Sequence, residues 1–312
     1  MPLLLRLAAA IAVSGGLYLT ALSLPPMGTP FLLLVPFPGL LLAVRRGVID
    51  SAAWLLFTAG ATAALVGWAA VPGLVLPLGL PALVMTLALW RTWSLERTVL
   101  AGLATWTVGV TCMALLEYGD VVAMVNSARE QIDKSFALAL STSESLGTAG
   151  TATVLTEADR SALVDALLGI LPALVVLTGA VMVIGNVVLL RASTGVFQEV
   201  NLRMWRTPDA LIWALIAAGF GMYAPVPWAA LTARNLFVVL LGCYFCQGLA
   251  IVAYYLDRFR LPRGIRIAGY VLIAVQHVVT AVVLALGVFD LWGNFRRSSA
   301  GPADVRFDAD GD

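Results

Sequence analysis

Long apolar blocks fill this chain, and short polar intervals separate them. The blocks cover residues 3–22, 31–44, 51–70, 71–90, 99–117, 167–190, 208–223, 235–256 and 267–292. Most match the roughly 20 residues a helix needs to cross ~30 Å of hydrocarbon. The block at 31–44 is short for a full crossing and contains Pro36 and Pro38. Inside a bilayer only structures that pair their own backbone groups are tolerated, so blocks of this length predict helices. The expected fold is all-α: a polytopic helical membrane protein with about nine transmembrane helices, or eight if one block does not cross. Pro77 and Pro81 predict a kink or a late start in the fourth block, because proline removes a helical N–H.

One long polar interval interrupts the pattern. Val121, Val125, Ile132, Phe136 and Leu140 recur in it at helical spacing, with Arg129, Glu130, Asp133 and Lys134 between them. That periodicity predicts an amphipathic helix on the outer membrane surface or over the bundle mouth, supported by a Glu130–Lys134 pair at i,i+4. A Ser/Thr/Gly loop follows at 141–153, and Thr156, Glu157 and Asp159 mark a helix start that runs on into the sixth span. The expected organisation is one helical transmembrane domain over 1–296, with an extracytoplasmic insert at 118–162 and a disordered polar tail at 297–312.

Charge sets the orientation. Arg45 and Arg46, Arg91 and Arg97, Arg191, Arg203 and Arg206, and Arg258, Arg260, Arg263 and Arg266 fall on one side of a nine-span arrangement. Basic loops stay cytoplasmic, so the N-terminus is expected inside a bacterial cytoplasmic (inner) membrane. Arg296 and Arg297 would then lie outside, and eight crossings with both ends inside is the alternative.

Composition narrows the function classes. The formal net charge is +1, so no polybasic surface for nucleic acid is expected. The Cys243–Cys246 pair lies within an apolar block, where free cysteine packs as a small hydrophobe. No H-E-x-x-H motif, intramembrane aspartate pair or Walker A sequence occurs, so neither an enzyme nor a cofactor or metal site is expected. Polar groups in the bilayer are costly and mark candidate sites. Here they are Asn186, Asn235, Gln247, Gln276 and His277, with Asp290 placed to pair with Arg296 or Arg297. They could line a solute pocket or bridge helices. Gly179, Gly185, Gly242 and Gly248 are candidates for close helix packing.

FPGLLLAVRRG at 37–47, NLFVVLLGCYFCQGLAIVAYYLDRF at 235–259 and LALGVFDLWGNFRR at 284–297 resemble the YybS-like family of uncharacterised bacterial membrane proteins. The order of elements agrees along nearly the whole chain. The family is distantly similar to the substrate-binding components of energy-coupling vitamin transporters. That resemblance implies a solute-capturing module with separate ATPase and coupling subunits. The chain differs from such components in having more than their usual six spans and no vitamin-binding motif. Two expectations follow: a solute-binding or transport-type module working with partner subunits, or a non-enzymatic membrane scaffold or envelope-biogenesis factor.

Overall fold

The computed structural model describes residues 3–24, 28–145, 157–293 and 295–296. Helix dominates, and no strand occurs among the described residues. The protein is an all-α polytopic membrane protein. Residues 25–27, most of the Ser/Thr/Gly loop, the start at Thr156, Arg297 and the polar tail lie outside the described residues. The chain divides into two compact units, Met1–Val200 and Asn201–Asp312.

The first unit begins with α1 (Leu3–Ser23). The short second block is two helices, α2 (Thr29–Leu34) and α3 (Phe37–Arg46), which together are long and apolar enough to cross. Pro36 and Pro38 have no N–H to donate, so the helix breaks between them and Leu34. Gly47, at φ +106°, turns the chain directly into α4 (Val48–Leu65). A Cβ at Gly39 would sit 2.3 Å from the Trp54 ring, so glycine there lets α3 close onto the fully buried indole of α4.

Three prolines shape the fourth span. A 3-10 turn (Trp68–Ala70), α5 (Val71–Leu74), a π-helical turn (Val75–Gly79) and α6 (Leu80–Trp90) follow one another without a gap. Pro72, Pro77 and Pro81 lack the N–H groups a regular helix needs. The wider π turn absorbs the misfit instead of a delayed start. Ser94 caps α7 (Leu95–Tyr118) by accepting the Arg97 N–H at 3.4 Å, which fixes where that span begins.

The expected amphipathic helix is α8 (Val121–Ser145), which extends into the stretch read as loop. Its partner is α9 (Glu157–Thr194), a helix with Pro172 inside it. At 1.5 Å per residue α9 is about 57 Å long, nearly twice the hydrocarbon thickness. Its charges stop at Asp165 and resume at Arg191, so the uncharged part is the membrane span and the first turns project beyond it. There Arg129 of α8 pairs with Asp165, and Asp133 with Arg160 at 3.0 Å; Glu130–Lys134 closes at 2.6 Å within α8. The described parts of the interval between spans five and six, α8 and the first turns of α9, are thus a helical hairpin tied across by ion pairs.

The second unit contains α10 (Leu211–Gly221), α11 (Pro227–Arg258), α12 (Arg263–Val275) and α13 (His277–Gly293). Helices α11 and α13 touch at glycine. A Cβ on Gly287 would lie 1.9 Å from the Tyr244 carbonyl oxygen, and one on Gly248 would lie 2.0 Å from the Val283 carbonyl oxygen. Of the glycines expected at close contacts, Gly179 also meets a neighbour, the Trp106 indole, whereas Gly185 faces open space.

The span count needs correction. Among the described residues seven helices are long and apolar enough to cross, or eight if the bent pair α12–α13 is one span, against about nine expected with eight as the alternative. The expected ninth span bends by 100° at Gln276. The expected seventh is helical only as α10, whose 11 residues are too short to cross alone. Its lead-in nevertheless follows α11. Arg203 pairs with Asp257, Thr207 with Gln247, Leu215 packs with Leu240 and Tyr244, Gly219 faces Phe237, and Gly221 meets Ala233. The helix from Ala233 to Asp257 is about 36 Å long at ~1.5 Å per residue. Residues 203–221 therefore run a full membrane thickness along α11, half irregular and half helical.

Candidate functional site

Irregular backbone at membrane depth leaves N–H and C=O groups without helical partners, and these must be satisfied by other protein groups. Among the described residues, the buried Ser14, Asn186, Thr207, Gln247, Asp290 and Arg296 lie at such breaks, whereas Ser51, Thr58, Thr62, Thr86 and Thr98 lie within helices.

In the first unit the break is at Leu34–Phe37. The amide nitrogen of Asn186, on α9, donates to the Leu33 carbonyl at 2.7 Å and to the Met182 carbonyl at 2.7 Å. The Ser14 hydroxyl of α1 donates to the Val35 carbonyl at 3.0 Å and accepts the Trp54 indole N–H at 3.0 Å. Asn186 and Ser14 are both buried. Two side chains from separate helices thus pair with carbonyls beside the Pro36 break. Tyr18 does the same further along, donating to the Ala70 carbonyl at 2.8 Å where the fourth span starts. The Asn186 Oδ1 atom is buried without a partner among the described residues.

In the second unit the break is the irregular stretch before α10. Gln247 of α11 accepts the Thr207 backbone N–H at 3.0 Å and the Thr207 hydroxyl as well. Its amide nitrogen donates to Asp290 Oδ2 of α13 at 2.9 Å. Asp290 also pairs with Arg296 at 2.5 Å and accepts the Phe295 N–H at 3.1 Å; the Arg206 guanidinium stands 3.8 Å away. Arg296 completes the arrangement by donating to the carbonyls of Arg203 at 3.0 Å and Trp205 at 2.8 Å. Gln247 and Asp290 are each 1 % exposed, and the Arg296 side chain 4 %, so this ion pair is sealed from solvent. A buried charge pair is tolerable only when the remaining lone pairs and protons are also bonded, as they are here.

The five residues singled out from sequence do not form one cluster. Asn186 belongs to the first unit and Gln247 to the buried network of the second. Asn235 lies along α11, its amide donating to the Leu231 carbonyl one turn back at 2.9 Å. Gln276 and His277 are exposed at the α12–α13 bend, not midway along a straight span. Asp290 pairs with Arg296, as its position suggested. Thr207, Arg206 and the Trp205 carbonyl escaped the sequence reading because they sit in a polar interval that looks like a loop. Pro208 just after them is the one visible signal that the helix could not begin earlier.

Two clefts lie outside these networks. One, of about 430 Å³, is lined by Arg129, Glu130, Asp133, Lys134 and Arg160 on the α8–α9 hairpin. The other, of about 300 Å³, is lined by Asn201, Arg203, Met204, Tyr254, Asp257 and Arg258. No group of three or more His, Cys, Asp or Glu side chains suited to a metal ion occurs among the described residues. Chemically, the networks hold irregular backbone in place, and the Asp290 carboxylate is occupied on both oxygens.

No curated protein and no solved structure matches the chain. A family model does match, over residues 11–291, which reaches into both units. This membrane protein belongs to the family described as Predicted membrane protein (DUF2232).

Proposed function

We propose that this protein is a non-enzymatic scaffold or envelope-biogenesis factor of the bacterial cytoplasmic membrane, with its N-terminus inside and the α8–α9 hairpin displayed outside. One observation carries the reading. The amide nitrogen of Asn186 and the amide oxygen of Gln247, the buried members of the candidate set, are engaged with neighbouring broken segments, and the Gln247 amide nitrogen with Asp290. The hairpin extends past the hydrocarbon on a helix continuous with a span, which suits a docking element for another envelope protein.

A second reading draws on a different feature. Discontinuous membrane segments such as 203–221 are where transporters build solute sites. On that reading the chain is a solute-binding module that needs ATPase and coupling subunits, in keeping with its YybS-like resemblance.

Native mass spectrometry of the tagged full-length protein, extracted gently from its own membrane, separates the two. A scaffold carries partner proteins that a charge-reversed hairpin (Arg129→Glu with Arg160→Glu) releases, and no stoichiometric solute. A bound small molecule, or an ATPase retained by that variant, overturns the scaffold reading in favour of transport.

A further inference from the structure

The end of α11 and the start of α12 concentrate positive charge. Arg258, Arg260, Arg263 and Arg266 lie within nine residues, and Arg203 stands across from them through Asp257. Asp257 takes up Arg203 at 2.7 Å and Arg266 at 3.4 Å. The guanidinium groups of Arg258, Arg260 and Arg263 have no partner among the described residues. Arg258 lines the cleft of about 300 Å³, together with Asn201, Arg203, Met204, the Tyr254 ring and Asp257, whose carboxylate is taken up by Arg203 and Arg266. The cleft therefore offers hydrogen-bond donors and an unneutralised cation within one small volume.

The backbone adds a second observation. Helix α11 ends with the Leu261 N–H bonded to the Leu256 carbonyl at 3.2 Å and the Arg260 N–H bonded to the Asp257 carbonyl at 2.8 Å. That closure places its penultimate residue in the left-handed region, usually glycine. Here it is Arg260, at φ +50°. The chain keeps an arginine at a position where glycine is less strained.

Helix α12 supplies an apolar complement. At 100° per residue, Ile265, Ala268, Leu272 and Val275 share one side, while Arg263, Arg266 and Tyr270 share the other. The apolar side is uncovered: Ile265 is 52 % exposed, Leu272 54 % and Val275 68 %. A basic amphipathic helix of this kind lies in the interface with its apolar side in the acyl region.

We propose that this surface is a binding site for anionic phospholipid. The phosphate sits at the cleft against Arg258, with Arg260 and Arg263 following it in the α11–α12 connection, and the acyl chains lie under the Ile265–Leu272–Val275 side of α12. The geometry uses cations with no protein counter-ion beside an uncovered apolar helix face, which a zwitterionic headgroup or a soluble anion would satisfy only in part. Each arginine near an anionic surface contributes about a fivefold preference, so three contribute on the order of 100-fold.

The test is lipid titration followed by native mass spectrometry, on the full chain in neutral detergent, with phosphatidylglycerol and phosphatidylcholine as probes. The expected result is preferential retention of phosphatidylglycerol. The variant R258Q/R260Q/R263Q loses that preference by tenfold or more, while R258K/R260K/R263K keeps most of it. A control that removes charge elsewhere, R45Q/R46Q, leaves it unchanged. Equal retention of both lipids by the native protein overturns the proposal, as does an unchanged preference in the glutamine variant. Competition by millimolar inorganic phosphate would also overturn it, assigning the cleft to a free anion. If the glutamine variant does not fold, single substitutions at Arg258 and Arg263 are read the same way, each expected to lower the preference severalfold.

Discussion

The Asp290–Arg296 pair allows the buried network to be tested quantitatively. Asp290→Leu removes the carboxylate that holds Arg296 at 2.5 Å, Gln247 at 2.9 Å and the Phe295 N–H at 3.1 Å. Arg296, its side chain 4 % exposed, cannot turn to water. Breaking one side of such a pair costs about 3–5 kcal/mol. Arg296→Met leaves Asp290 with Gln247, Phe295 and a distant Arg206, and strips the carbonyls of Arg203 and Trp205 of their donor. An unsatisfied buried acceptor costs about 1–3 kcal/mol, so this change also falls near 3–5 kcal/mol. The double variant has no uncompensated charge but leaves the Arg203 and Trp205 carbonyls, the Gln247 amide and the Phe295 N–H without these partners. Its cost should be about 5 kcal/mol, short of the sum of about 6–10 kcal/mol by at least ~1 kcal/mol. The assay is unfolding of the full chain in dodecyl maltoside by added dodecyl sulfate, followed by tryptophan fluorescence, for the native protein and all three variants. Costs that add to within about 0.5 kcal/mol would mean that the two side chains do not interact. A cost below about 1 kcal/mol for Asp290→Leu would mean that the carboxylate is not buried as described.

Further predictions concern the helix contacts and breaks. Gly287→Ala should destabilise by about 2 kcal/mol or more, because its methyl would sit 1.9 Å from the Tyr244 carbonyl oxygen, whereas Gly185→Ala, facing open space, should be neutral or slightly stabilising; thermal unfolding in detergent compares them. Asn186→Leu should cost about 1–3 kcal/mol by orphaning the Leu33 carbonyl, and equal stability in the same detergent assay would remove Asn186 from the Pro36 break. Arg260→Gly should raise stability by up to about 1 kcal/mol by relieving a left-handed arginine, read as a higher dodecyl sulfate midpoint. Arg129→Ala should change stability by less than about 1 kcal/mol, since both it and Asp165 are largely exposed, and a larger loss would show that the hairpin is held by more than surface ion pairs.

Much of the fold is legible without coordinates because the bilayer constrains it locally. Span α1, the long helix through 167–190 and the amphipathic α8 follow from runs and periodicities that any single helix must satisfy by itself. The Pro36 break and the distortion near Pro77 are local too, since a proline removes its own N–H whatever its neighbours do. The two departures, at 208–223 and at 267–292, are of another kind. Both blocks are apolar enough to be read as straight spans, but the first, taken with its lead-in from Arg203, is partly irregular and the other bends at Gln276. Neither carries a mid-block proline or charge to announce it. The irregular part of the first is possible only because Gln247, Asp290 and Arg296 converge on it from distant parts of the chain.

The same division holds for the candidate residues. Cost in hydrocarbon is a property of the residue, so Asn186, Gln247 and Asp290 stand out in the bare sequence. Their partners do not, because a carbonyl becomes available only where a helix is broken, and which side chain reaches it depends on packing. The sequence by itself determined that this is a helical membrane protein and roughly where its spans lie. Those properties are sums over local transfer energies and need no knowledge of contacts. Only the tertiary structure decided that Ser14, Asn186, Gln247 and Arg296 mend broken segments. It also decided that the 203–221 segment lies along α11, and that Gln276 and His277 stand at an exposed bend. Each of these depends on residues brought together across tens to more than a hundred positions of chain.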